Sequence, residues 1–160
     1  MKTSKSNLTE IIINKTGLKL DTYFPASKLK WLCDKTPSIR EKLENGQALF
    51  GTIDTYLLYR LTKGDQYLTD STNASRTLLY DTKNQHWDEA LKEIFGLSKI
   101  ILPEVRESSS NFGSTNFEDI FDEDMELKKL RKDHMICLFN NSASGIDEDM
   151  NDISEINGLY

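Results

Sequence analysis

Residues 16–35, TGLKLDTYFPASKLKWLCDK, place a phenol at Tyr23, an ammonium at Lys28 and an indole at Trp31 within one short stretch. A phenol hydroxyl on an aromatic plate suits a ligand made of hydroxyls and a short carbon skeleton. The same spacing also lets Tyr23 do no more than pack against the helix that follows. Thr69 to Thr77, TDSTNASRT, is dense in hydroxyls and asparagine, which suits helix caps and turns. Asn73-Ala74-Ser75 is an N-glycosylation triplet of a kind that arises often by chance. Neither Asn73 nor Arg76 has a pattern that assigns it direct catalysis. Gly64-Asp65-Gln66 puts a carboxylate on a backbone that glycine makes permissive. Cys33 and Cys137 lack metal-ligand spacing, and Cys33 beside Trp31 and Leu32 reads as a buried thiol. His86 and His134 lie far apart and read as surface or helix-end residues. The residue pattern therefore assigns no catalytic, cofactor-binding or metal-ligating residue.

The elements that must hold these groups follow from period and punctuation. Residues 5–15 predict a helix through Leu8, Ile11 and Ile12, stopped by Gly17. Pro25 fits the first turn of a second helix, with Phe24, Leu29, Leu32 and Cys33 as its buried stripe. Ser38-Ile39-Arg40-Glu41 has capping-box spacing and predicts a third helix ending at Gly46. Leu49-Phe50 opens a short buried element, and Gly51 permits a sharp turn. Ile53, Tyr56, Leu57, Arg60 and Leu61 recur at three and four, predicting a helix that ends near Gly64. Thr77 to Asp81 reads as a strand. Trp87, Ala90, Leu91, Ile94 and Phe95 read as an amphipathic helix closed by Gly96. Leu102-Pro103 starts an extended link, and Ser108-Ser109-Ser110 marks a boundary.

The 160 residues suffice for about one domain with its own core. No apolar run approaches the ~18 residues of a membrane span. MKTSKSNLTE has no signal-peptide apolar core, so a cytoplasmic location is the default expectation. The formal net charge of −6 is unevenly spread: residues 1–110 carry 16 Lys/Arg against 14 Asp/Glu, and residues 111–160 carry 4 against 12. An acidic chain with no clustered basic face is poorly suited to nucleic acid. Beyond Gly113, NFEDIFDEDMELKKLRKDHM has partial helical period. The last stretch, NNSASGIDEDMNDISEINGLY, is polar and aperiodic, for which disorder is the expectation.

The segment from Thr16 to Lys35 resembles the signature of the glycerol kinases, within the FGGY family of ATP-dependent carbohydrate kinases. ALFGTIDTYLLYRLT from Ala48, TDSTNASRTLLYDT from Thr69 and LPEVRESS from Leu102 follow in that family's order, so the resemblance runs from about Leu8 to Gly113. It implies that Tyr23 contacts glycerol, with Lys28 and Trp31 packing and orienting; Lys35 departs from the pattern, which has an uncharged polar or acidic residue there. It implies ATP-dependent phosphorylation of glycerol to glycerol 3-phosphate, with magnesium. It also implies an α/β fold: a partial ribonuclease-H-like (actin-like ATPase) kinase domain, helix-rich, with a weak or absent sheet. Residues 5–113 would be the partial N-terminal carbohydrate kinase domain and 114–160 an acidic tail, partly helical or disordered and poorly ordered.

The family's catalytic Gly-Asp-Gln lies downstream of LPEVR and its serines, whereas Gly64-Asp65-Gln66 precedes TDSTNASRT, so the resemblance makes Asp65 a turn residue. Phosphoryl transfer needs phosphate-cradling backbone or cations, a metal and a base. The family's phosphate loops match nothing in this sequence, whose eight glycines are dispersed. The expectation is an internal fragment, from a truncated or split gene, that is inactive alone and exposes an apolar face able to associate. A different class of reading is a non-enzymatic remnant or interaction module. Within the family, the substrate could instead be xylulose or gluconate, although the FGTIDT, NASRTLLYDT and LPEVRESS blocks look most like the glycerol branch.

Overall fold

The computed structural model describes residues 2–115, with side chains from residue 7 onward, and the backbone of two strands at His134–Leu138 and Ala143–Ser144. Helix α1 (Lys2–Thr16) buries Ile12 and ends as its sequence predicts. Gly17 takes φ +72° and donates its N–H to the Ile13 carbonyl at 2.8 Å, while the Thr16 hydroxyl donates to the Ile12 carbonyl. That left-handed closure is cheap only for glycine.

Helices α2 (Pro25–Lys35) and α3 (Pro37–Glu44) each begin on proline, whose missing N–H is no loss in a first turn. The expected stripe is buried: Phe24, Leu29, Leu32 and Cys33 all face the core. The capping box expected at Ser38–Glu41 does not form. Pro37 already occupies the first turn, Thr36 stands at the cap without a side-chain bond, and Ser38 lies inside the helix. Arg40, inside α3, instead ties the helix to the turn at Gly96 by donating to the Gly96 carbonyl at 2.9 Å.

Strand β1 (Ala48–Gly51) leads into α4 (Ile53–Leu61). Gly51 ends the strand without a positive φ, and Thr52 alone separates it from the helix. The helix is as predicted, but its apolar stripe faces outward: Ile53, Leu57 and Leu61 are exposed, and Thr55 is the residue turned inward. Next come β2 (Leu68–Asp70), the single turn α5 (Ser71–Ala74), β3 (Tyr80–Asp81), β4 (His86–Trp87), α6 (Glu89–Ile94) and β5 (Glu104–Arg106).

Two expectations shrink here. The strand predicted over 77–81 is confined to Tyr80–Asp81, because the Thr77 hydroxyl bonds both the Ala74 carbonyl and the Leu79 N–H and holds 74–79 in a turn. Trp87 belongs to β4, and α6 starts only after Asp88, whose carboxylate caps Leu91 N–H at 2.9 Å.

Among the described residues three small sheets result, so the weak or absent sheet becomes a set of short pairings. β3 and β4 form an antiparallel hairpin, and β2 pairs with β5 in parallel. β1 pairs in parallel with β6 (His134–Leu138), Ala48 opposite His134 and Gly51 opposite Cys137, and β7 (Ala143–Ser144) flanks β6 antiparallel. His134 and Met135, expected to end a charged helix in a poorly ordered tail, therefore open a strand. Ala48 and Phe50 of β1 are buried. The rest of the expected tail, residues 116–133, 139–142 and 145–160, lies outside the described residues. The class is α/β with helices outweighing strands, as expected.

One core joins α1 to α3, β1, the 78–79 turn and α6, with Leu29, Ile39, Leu78, Leu79 and Leu91 fully buried. An ionic latch closes its edge. Lys15 Nζ lies 2.5 Å from Asp88 and 3.6 Å from Asp81, both carboxylates buried, and the Lys15 carbonyl accepts from the Thr82 N–H. The Asp88 bond holds the lysine above its ordinary pKa despite burial. Among the described residues no helix is long and apolar enough to cross a membrane.

Candidate functional site

Tyr23 sits at the end of the loop between α1 and α2, half exposed at 47%. Its N–H bonds the Asp21 carboxylate at 2.7 Å, an Asx turn that aims the chain into the helix. Phe24 follows in extended backbone at the cap position and is buried at 8%. The two rings meet edge to face, centroids 5.3 Å apart and planes at 87°. Lys28, one turn into α2, holds its ammonium 5.9 Å from the Tyr23 centroid, within cation–π range. Partial burial lowers the Lys28 pKa. Trp31 is 41% exposed further along the same helix, and Lys35 lies exposed at its end.

The loop is tied to a segment distant in sequence. α2 has no side-chain cap; instead, the Ala26 N–H donates to the Thr77 carbonyl at 3.1 Å. Next to it, the Arg76 guanidinium lies 5.1 Å over the Phe24 ring. The Asp70 to Thr77 stretch thus does what its composition predicts, capping and turning: Asp70 accepts from the Asn73 N–H and side chain, both at 2.8 Å. It also grips the loop of Tyr23, which nothing in its local pattern signals.

Further side chains bind the remaining blocks together. Asp54 accepts from Thr52 within its own block and from Thr69 at 2.6 Å. The Tyr67 hydroxyl donates to the Phe50 carbonyl, and burial pushes that phenol well above its ordinary range. Ser108 donates to Asp70 at 2.5 Å. Burial alone would raise the Asp70 carboxyl, but the bonds from Ser108, Thr72 and Asn73 outweigh it and bring it to about 2. Asp81 is likewise held at about 2, chiefly by the Asn84 N–H.

The other sequence candidates stay apart from Tyr23. Asp65 is exposed in a turn in which Lys63 and Gly64 both have positive φ; its N–H bonds Thr62 and its carboxylate takes the Gln66 amide. Cys33 is buried, and burial raises its thiol to about 11, which leaves it protonated and unreactive. His86 is exposed on β4. The side chains of His134 and Cys137 lie outside the described ones.

A set of sequence blocks tied in this way is what a shared ancestor would preserve, and the comparisons bear on it directly. The profile of the FGGY family of carbohydrate kinases, N-terminal domain, matches residues 2–122. The chain belongs to that family. It is 46% identical over 139 residues to a glycerol kinase of Thermococcus onnurineus (strain NA1), covering 87% of this chain and 28% of that protein. With a glycerol kinase of Thermococcus gammatolerans it shares 54% over 114 residues, 71% of this chain and 23% of the relative. The crystal structure of Plasmodium falciparum glycerol kinase with ADP superposes with a TM-score of 0.64 at 40% identity, over 70% of this chain and 22% of that one. A gluconate kinase from Lactobacillus acidophilus superposes at 0.59 over 81% of this chain and 24% of that one, but at 24% identity it speaks for the fold alone. This FGGY-family chain spans about a quarter of the length of the curated relatives it matches.

Proposed function

We propose that this chain carries one wall of a glycerol site, with Tyr23 as the contact residue, in a kinase that phosphorylates glycerol to glycerol 3-phosphate with ATP and magnesium. The observation that carries the reading is the Tyr23 ring, half exposed yet braced by Phe24 and Lys28, in a chain 40% to 54% identical to glycerol kinases. A fixed aromatic plate beside a hydroxyl suits a small polyol, which offers little else to recognise.

The described residues do not fit a site for the nucleotide and metal. No three His, Cys, Asp or Glu side chains among them converge to hold a cation. Asp65, the one carboxylate with a Gly-Asp-Gln setting, is exposed and occupied with its own turn. No step of phosphoryl transfer is therefore assigned to these residues, and the 160 residues alone are expected to show no glycerol-dependent ATP turnover.

The test pairs two measurements on the intact chain. A coupled assay for ADP with glycerol, ATP and magnesium should stay at background; turnover like that of a whole kinase overturns the reading of inactivity. Labelling the tyrosines with 3-fluorotyrosine and titrating glycerol should move the Tyr23 signal, identified by its loss in Tyr23→Phe. A Tyr23 signal that ignores glycerol overturns the contact role.

A second reading, a non-enzymatic interaction module, draws on the exposed stripe Ile53, Leu57 and Leu61 of α4. Sedimentation analysis separates it: concentration-dependent association abolished by Leu57→Glu supports that reading, and a monomer at all concentrations removes it.

A further inference from the structure

We propose that Arg76 is a positioning residue for Tyr23, acting through the Phe24 ring. The inference rests on the reading of Tyr23 as the glycerol contact and extends it to a residue that touches no substrate.

The loop before α2 has local bonds that would travel with it if it moved. Asp21 takes the Tyr23 N–H, and the Ser27 hydroxyl donates to the Phe24 carbonyl at 2.9 Å. Neither fixes the loop against the rest of the molecule. Besides the burial of Phe24 in the core, two contacts from the 74–79 turn do. The Thr77 carbonyl takes the Ala26 N–H, an N-terminal donor of α2 that no side chain of the loop satisfies. The Arg76 guanidinium caps the Phe24 face at 5.1 Å, while the Tyr23 ring meets the same Phe24 at 5.3 Å. Phe24 thus touches both the Arg76 cation and the Tyr23 ring.

The turn is rigid enough to act as the fixed partner. Asp70 caps α5 at its start, and the Arg76 N–H bonds the Asn73 carbonyl at 3.0 Å. Leu78 is fully buried at φ +67°, a left-handed conformation that costs an L-residue about 1 kcal/mol and persists only where its surroundings over-determine it. Those surroundings are the core on one side and the Thr77 hydroxyl, bonded to Ala74 and Leu79, on the other. Arg76 is itself exposed, and among the described residues it makes no ion pair, so its planar cation is committed to the ring. A guanidinium suits this stacking better than an ammonium.

The experiment uses the full chain labelled with 3-fluorotyrosine. Arg76→Met should shift the Tyr23 resonance and leave that of Tyr80, which packs edge to face on Trp87, at its wild-type position. Arg76→Lys, which keeps the charge and loses the plane, should shift it by less. In a Phe24→Leu background, Arg76→Met should add no further shift, because the relay is already gone. An unmoved Tyr23 signal in Arg76→Met, with Tyr80 also unmoved, overturns the proposal. If Arg76→Met disturbs Tyr80, the comparison passes to Arg76→Lys: an equal shift with and without Phe24 overturns the relay, and a shift only with Phe24 upholds it. Glycerol that leaves Tyr23 unmoved in the wild type overturns the substrate reading alone, since the dependence of Tyr23 on Arg76 is measured without glycerol.

Discussion

Two short segments carry residue types suited to kinase chemistry, 21–28 and 63–66, and they are built in opposite ways. Tyr23 is held by a helix start, a buried ring and a turn more than fifty residues away, at Arg76 and Thr77. Asp65 is held by Thr62 and Gln66, its immediate neighbours. A group meant to meet a ligand at a fixed place needs contacts from outside its own segment, because local bonds move with the segment they close. A group that only reverses the chain needs none.

The largest effect should come from breaking the brace. Phe24→Ala removes a buried ring from between Arg76, Tyr23 and the core, and the expected destabilisation is about 3 kcal/mol. Urea unfolding at neutral pH measures it. A midpoint within error of the wild type would mean that the loop of Tyr23 is not anchored through this ring.

A smaller effect tests the turn that supplies the brace. Asp70→Ala removes the cap of α5 and the partner of Ser108, at a cost of about 1 kcal/mol at pH 7. Its pH dependence has a definite sign. The folded carboxyl sits at about 2 against an ordinary 3.8, so its stabilisation is fully present above the unfolded value and is lost as pH falls through about 2. The gap between wild type and Asp70→Ala should therefore be open at pH 7 and narrow from pH 4 downward in paired unfolding curves. A gap that stays constant to pH 2 would show that the ionised carboxylate is not what holds the turn. Asp81, also near 2, remains in both proteins and cancels from the comparison.

Much of the scaffold was legible because it is locally encoded. Gly17 stops α1, Pro25 and Pro37 open α2 and α3, and the stripe Leu29, Leu32, Cys33 faces inward as period alone requires. Local reasoning failed where a longer-range partner decided. Thr77 to Asp81 reads as a strand from its apolar side chains, yet the Thr77 hydroxyl and the α2 N-terminus hold its first part in a turn. His134 to Leu138 pair with β1, a partner more than eighty residues upstream, against the charged-helix pattern that precedes them. In α4 the period identified the helix correctly, but the apolar stripe is the exposed one. Of the candidate site, the resemblance pointed to Tyr23, while Arg76 and Thr77 carry no pattern linking them to it. Cation–ring stacking and a carbonyl cap leave no trace in spacing.

The smallest effect belongs to the other half of the comparison. Asp65→Ala removes a carboxylate whose side-chain partner is the adjacent Gln66 amide, on an exposed turn. The turn itself is closed by backbone: Gly64 at φ +86° donates to the Tyr59 carbonyl at 2.7 Å, and the Asp65 N–H donates to Thr62 at 3.1 Å. Alanine keeps those bonds, so stability should change by less than about 0.5 kcal/mol, as for surface sites generally. Under the same logic Asp65→Ala should leave the Tyr23 fluorine resonance where it is, whereas Arg76→Met moves it. A Tyr23 shift on losing Asp65 would join the two segments into one site and erase the distinction between them. An unmoved resonance, with the midpoint also unmoved, leaves Gly64-Asp65-Gln66 as chain reversal, a segment separate from that of Tyr23.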